Sequence, residues 1–196
     1  MSRIARRIRS LFFDSFEKES VFWLWRVNRF AAGHLVSNSV RQLIYRSNGL
    51  VFGKGVSVRP GVYFRSRDIV IGKESAINID VVFDNRSGVI IGERVGVGIG
   101  TLFLNTDHDT GDPDRRAGVG RHAPVKIEDG VFIGSRVIVF PGVVIGKGAV
   151  VGAGSVVTTS LESHGLYVGS PAKLVRKLGD SAPIDGLGSQ SANTVN

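Results

Sequence analysis

Large aliphatic and aromatic residues recur at every sixth position along most of this chain. Ile127, Ile133, Val139, Ile145, Val151 and Val157 keep the interval without a slip, and Gly134, Gly146 and Gly152 directly follow three of them. Four residues after successive members stand Val131, Val137, Val143, Ala149 and Ser155, all small or β-branched. A helix spaces its apolar face at 3.6 residues and a lone strand at 2, so neither gives this pattern. A coil of short flat strands does. The large residue points into a narrow prism, the smaller one fits near a corner, and glycine allows the turn. Stacked coils then form parallel sheets with apolar ladders along the axis.

The same period runs upstream with small slips. Phe52, Val58 and Phe64 hold one phase; Ile71, Ile77 and Phe83 hold the next, shifted by one residue; Ile91, Val97 and Phe103 hold a third, shifted by two. Extra residues of this kind fit at corners, where they can bulge outward. Three units make a triangular coil of about 18 residues, and a strand spacing of ~4.8 Å predicts a prism roughly 25 Å tall. Phe103 and Ile127 are again a multiple of six apart, yet the intervening core positions would be Asp109, Arg115 and Arg121. Three charges cannot line a dry prism unpaired, so residues 104–124 are expected to leave the coil as an excursion. Long ordered loops in compact repeats are usually functional.

The expected division is a helical region over 1–48, a β-helix domain over 49–178 with the excursion at 104–124, and a disordered tail over 179–196. Ile4, Ile8, Leu11 and Phe12 make one amphipathic stripe ringed by arginines, and Phe22, Trp23, Trp25 and Phe30 enrich a second segment. The tail after Leu178 is small and polar. Lys173 to Lys177 read as a short strand or helix closing the last coil.

Composition narrows the chemistry. The chain has 196 residues, 26 glycines and no cysteine. Disulfides, thiolate metal sites and cysteine nucleophiles are excluded. A net charge of +8 suits an anionic partner such as a nucleotide cofactor or a membrane surface. No apolar run approaches the ~20 residues of a membrane span, and Asp14, Glu17, Lys18 and Glu19 break any signal-peptide core. The cytoplasm is the expected compartment, with the N-terminal helices as a candidate contact to the inner face of the membrane.

The segment VFIGSRVIVFPGVVIGKGAVVGAGSVVTTSLESHGLYVGSPAKLVRKL resembles the C-terminal half of bacterial hexapeptide-repeat acetyltransferases. The nearest group is the galactoside, maltose and nodulation-factor O-acetyltransferases, with related O-antigen and capsule enzymes. The resemblance covers about residues 50–178. It implies an all-β fold, a left-handed parallel β-helix, and a homotrimer with active sites between neighbouring prisms. It also implies acetyl-CoA as co-substrate and a sugar or glycan hydroxyl as acceptor, and it leaves no role for nucleic acid.

That family's catalytic histidine sits on the excursion, which assigns the role here to His108 in LNTDHD. The chemistry agrees: O-acetyl transfer needs a base for the hydroxyl proton, and histidine titrates near neutrality. With no cysteine to carry an acyl group, direct transfer in a ternary complex is the simpler route. Asp107 or Asp109 is expected to orient the imidazole, with the choice open. Adjacent residues on an extended chain point apart, so this cluster is not expected to hold a metal. His122 on the same loop is the weaker alternative. The resemblance further places Asn78 and Asp80 in the acceptor pocket, Ser135 and Ala153 along the pantetheine arm, and Thr158, Lys173 and Arg176 near the nucleotide end. Two departures stand out: Thr159 replaces the lysine of the family's VTK, and Phe132 replaces a common tryptophan.

Rival readings are serine acetylation, amino-sugar N-acetylation and a non-enzymatic scaffold. The first two families carry an N-terminal domain for which 48 residues are too few or lack the βαβ pattern. The carbonic-anhydrase-like relatives need three zinc histidines, which the four histidines here do not supply.

Overall fold

A computed structural model of the chain describes residues 26–179. The expectations for the stripe at residues 4–12, for residues 22–25 and for the tail from residue 180 lie outside the described residues. Within them the chain winds into a parallel β-solenoid of about six turns. Its first face stacks Val51–Phe52, Ile69–Ile71, Val89–Ile91, Val125–Ile127 and Val144–Ile145. The second stacks Ser57–Val58, Ala76–Ile77, Gly96–Val97, Phe132–Ile133, Val150–Val151 and Gly165–Val168, and the third Tyr63–Phe64, Val82–Asp84, Leu102–Leu104, Ile138–Val139 and Val156–Val157. Among the described residues no helix is long and apolar enough to cross a membrane.

The period of six becomes three in-register ladders. Phe52, Ile71, Ile91, Ile127 and Ile145 pair in sequence on the first face, and Val58, Ile77, Val97, Ile133, Val151 and Tyr167 on the second. On the third, Phe64, Phe83, Phe103, Val139 and Val157 align, all fully buried. Phe64 stacks on Phe83 at 5.1 Å and Phe83 on Phe103 at 4.7 Å between ring centroids. The smaller residues of the pattern, Val131, Val137, Val143, Ala149 and Ser155, are buried at the corners as expected. Glycines directly after the ladder residues leave no room for a side chain: a Cβ on Gly134 would sit 2.5 Å from the Ala153 nitrogen of the next coil.

Every departure from the six-residue interval falls at one corner, between the third face and the first. The step there is seven residues from Phe64 to Ile71, eight from Phe83 to Ile91, and four from Val157 to Leu161, which bridges to Ile145. The excursion leaves from this same corner. Backbone groups freed by the irregularity still need partners, and two fully buried asparagines provide them. Asn85 donates to the carbonyls of Ser66 (2.8 Å) and Asp68 (3.1 Å) and accepts from the Ser66 nitrogen (2.9 Å). One coil further, Asn105 donates to the carbonyls of Gly88 (2.9 Å) and Ala123 (2.8 Å).

The N-terminal end of the prism is closed by a helical turn over residues 26–31 and the helix Asn38–Ser47, which Ser37 caps by accepting from the Val40 nitrogen. Tyr45 covers the aromatic column, edge-on to Phe64 at 5.0 Å. Arg41 is only 2% exposed, and its guanidinium donates to the carbonyls of Ala31 (2.7 Å), Val58 (3.0 Å), Gly33 (2.8 Å) and Val36 (2.7 Å). No carboxylate pairs with it among the described residues. A buried cation satisfied wholly by carbonyls keeps its charge uncompensated.

At the other end, Lys173–Lys177 is a strand, antiparallel to Gly165–Val168.

Candidate active site

The excursion is a β-hairpin. Thr106–His108 pairs antiparallel with Gly120–His122, setting Thr106 opposite His122, Asp107 opposite Arg121 and His108 opposite Gly120. Directly paired residues share a face and alternate residues switch faces. His108, Gly120, Thr106 and His122 therefore lie on one face, with Asp107 and Arg121 on the other. Both imidazoles approach the bare Cα of Gly120: a Cβ there would lie 3.6 Å from His122 and 3.9 Å from His108.

His108 is exposed, and its Nδ1 lies 3.1 Å from the Gly118 carbonyl oxygen. A carbonyl can only accept, so Nδ1 must carry a proton, and in the neutral ring this tautomer leaves the Nε2 lone pair free. His122 instead faces the Thr106 hydroxyl at 3.2 Å, a partner able to donate or accept, and so its tautomer is not set by that contact.

The two aspartates hold the backbone. Asp107 Oδ1 accepts from the His108 nitrogen at 2.7 Å. Asp109 accepts from the Gly111 nitrogen at 3.1 Å and pairs with Arg121 at 3.1 Å. The imidazole of His108 thus has a carbonyl as its hydrogen-bond partner rather than either carboxylate. The Gly111 amide, and then Arg121, hold the Asp109 carboxyl below the usual carboxylate value. A carboxyl lowered in this way favours the folded hairpin above its ordinary pKa of about 3.9, and the support is lost as pH falls through the lowered value. In an NMR titration, the Gly111 amide is expected to hold its shift from neutrality down to about pH 4 and to move only below it, and Asp109→Asn should abolish the inflection. A midpoint above pH 4 would count against the pairing.

Asn78 and Ser135 line one groove of about 380 Å³ with Arg59, Ser57, Ala76 and Phe132. The outward residues of the second face are small in the early coils: Ser57, Ala76 and Gly96 pair in register. Phe132 follows in the same column, 50% exposed, its ring 3.1 Å from where a Gly96 Cβ would stand. Asn78 spends its Oδ1 on the Ile79 nitrogen (2.9 Å), and its Nδ2 has no partner among the described residues. Asp80 follows in a left-handed turn (φ 58°), exposed at the same corner. Ala153 lies one coil beyond Ser135, whose carbonyl accepts from the Gly154 nitrogen at 2.9 Å.

Lys173 and Arg176 occupy the closing strand. Lys177 beside them is committed to Glu162 at 2.6 Å; that contact raises the lysine pKa and lowers the carboxyl's. Lys173 and Arg176 have no carboxylate partner among the described residues. Thr158 sits exposed just after Val157, at the corner from which the excursion leaves. Among the described residues no cluster of His, Cys, Asp and Glu could hold a metal ion.

A single chain does not bring all of these together. Asn78, Asp80, Ser135 and Ala153 share the corner between the second and third faces, whereas His108 extends from the corner between the third and the first. What the sequence did not show was the Gly118 carbonyl, a backbone group without a side-chain signature, and the meeting of His108 with His122 across Gly120.

Comparison with known proteins bears on the family and the fold. The family model described as the hexapeptide repeat of succinyl-transferase matches residues 124–159. The chain is 30% identical over 141 residues to the galactoside O-acetyltransferase of Escherichia coli K12, covering 71% of this chain and 70% of that protein. It is 37% identical over 123 residues to nodulation protein L of Rhizobium meliloti, covering 62% and 67%. A putative acetyltransferase of Schizosaccharomyces pombe is 38% identical over 111 residues, and there the match spans 54% of the relative's length. Among solved structures, a hexapeptide-repeat acetyltransferase of Vibrio cholerae complexed with acetyl coenzyme A superposes with a TM-score of 0.77 at 29% identity, covering 83% of this chain and 89% of that one. A galactoside acetyltransferase in complex with coenzyme A gives 0.78 at 26%, covering 84% and 83%. The chain belongs to the hexapeptide-repeat acetyltransferase family.

Proposed function

We propose that this protein transfers the acetyl group of acetyl-CoA to a hydroxyl of a sugar, in a surface glycan or its precursor, with His108 as general base. The observation that carries the reading is the imidazole of His108, exposed on a hairpin outside the core, with Nδ1 held by a carbonyl and Nε2 left as a base. Nε2 takes the proton of the acceptor hydroxyl as its oxygen attacks the thioester carbonyl. The C–S bond breaks and CoA leaves as the thiolate, which the imidazolium can protonate. Asp107 and Asp109 serve this role indirectly, by fixing the hairpin that presents the ring.

The residues present suit an acyl-CoA. The groove at Ser135 has a floor of small side chains, Ala153 continues the same corner, and Lys173 and Arg176 offer uncommitted cations for phosphates. Asn78 and Asp80 are assigned to the acceptor. Because His108 and Asn78 leave from different corners, the complete site is assigned to the cleft between two prisms of a homotrimer. An apolar column on the first face supports association: Val51, Val70, Ile90 and Val144 point outward in register, interrupted only by Lys126, and all four are exposed.

Calorimetric titration with CoA, sedimentation equilibrium and acetyl-CoA turnover with sugar acceptors test the reading together. The expected result is CoA binding by a trimer and acetylation of hydroxyl sugars in preference to serine or amino sugars. A protein that binds no CoA returns the fold to the scaffold class.

A further inference from the structure

The groove that holds Asn78 carries an uncommitted positive charge that O-acetyl transfer to a neutral sugar does not use. Arg59 follows the buried Val58 as Asn78 follows Ile77, and its backbone nitrogen donates to the Ile77 carbonyl at 2.9 Å. The two residues therefore occupy the same corner in successive coils, and both line the groove with Phe132. Arg59 is exposed and pairs with no carboxylate among the described residues. Beneath it lies a second cation: Arg41 donates to the Val58 carbonyl at 3.0 Å, and all its partners are neutral. Burial lowers the Arg41 pKa, against an opposing effect of Tyr45, and the charge of Arg59 adds to the lowering.

Among the described residues neither guanidinium pairs with a carboxylate, and Asp80 at the same corner turns its carboxylate onto Gly61, so Arg59 presents an unpaired cation to the groove. The phosphates of CoA do not account for it. Arg59 belongs to the first coil, whereas Lys173 and Arg176 stand on the strand beyond the last one, with Asn78 and Ser135 between. A guanidinium fork matches the oxygens of a carboxylate or a phosphate. We infer that Arg59 is a specificity residue that selects a sugar acceptor bearing an anionic group, carboxylate or phosphate, beside the hydroxyl to be acetylated. The inference rests on the sugar O-acetyltransferase reading.

The test measures dissociation constants by ligand-observed NMR on the full chain loaded with CoA. Its matched probes are galactose against galacturonate, and glucose against glucose 1-phosphate. At least one anionic probe is expected to bind more tightly than its neutral partner, and which pair shows it separates a carboxylate from a phosphate. Arg59→Ala should reduce that anionic-to-neutral ratio about tenfold or more, and Arg59→Lys by less, since an ammonium keeps the charge but not the fork. Equal binding within both pairs in the wild type, or a ratio that Arg59→Ala leaves in place, overturns the inference. Failure of CoA to bind at all overturns the reading beneath it, whereas CoA binding with no anion preference removes only the role of Arg59. Thermal midpoints of both variants show whether the fold is intact.

Discussion

His108→Ala is expected to lower kcat for acetyl transfer by a factor on the order of 10²–10⁴ while CoA still binds. The lost group takes up a proton in the transition state, so kcat should carry the effect. CoA affinity should persist because Ser135, Ala153, Lys173 and Arg176 belong to the solenoid and its closing strand, not to the hairpin. His122→Ala is the matched control. It removes an imidazole from the same hairpin face but leaves the contact between His108 and Gly118 intact. Its expected loss is about tenfold or less, well short of removing a general base. Steady-state kinetics with a fixed sugar acceptor, alongside CoA titrations of both variants, distinguish the two residues. Should His122→Ala suffer the larger fall in kcat, the base is His122.

Phe83→Ala is expected to cost about 3–5 kcal/mol of stability. Phe83 is fully buried and lies between Phe64 and Phe103 in nearly parallel stacks, with interplanar angles of 8° and 5°. Removing the middle ring loses its transfer free energy, leaves a cavity that a rigid solenoid cannot close, and breaks both stacking contacts. Each coil of such a fold touches only its neighbours, so a gap in the second coil also weakens the link between the helical cap and the rest. Phe83→Leu keeps most of the volume but neither stacking contact, and should cost less than Phe83→Ala. Denaturant unfolding at one fixed protein concentration measures both. A penalty for Phe83→Ala below about 1 kcal/mol would show that the coils relax around the gap.

The solenoid was legible because its repeat is enforced by sterics at every coil. A residue facing a prism this narrow must be apolar and of limited size, and that demand writes Ile127 through Val157 at even intervals. The excursion was legible by the reverse argument, since Asp109, Arg115 and Arg121 fall at core phase and cannot be buried. The hairpin within it was not, because its Gly- and Asp-rich strands bury nothing and carry no alternation to read. Arg41 was hidden for a different reason. A charged residue on a short helix reads as surface, and its four carbonyl partners come from turns and coil ends that leave no mark in the sequence. Of the candidate site, the excursion pointed to His108 and His122, and the family resemblance preferred His108. Its partner could not be singled out, for Gly118 contributes only backbone.

The irregular corner works as a seam. Two edges of the prism are locked at six residues per side by the glycine columns and the ladders behind them. Along the third, chain length is nearly a free variable, spanning steps of four, six, seven and eight residues and an insertion the size of the whole excursion. Lengthening a surface loop twofold costs only about 0.6 kcal/mol in closure entropy, and two buried asparagines stitch the ends shut at the steps longer than six residues. The proposed base hangs from that seam, while the proposed anchoring of the co-substrate belongs to the locked edge and closing strand. Material can therefore be added or removed around the proposed base without disturbing a single rung of the core. In this architecture, the segment that presents the proposed base can drift in length while the corner that holds the groove stays the same.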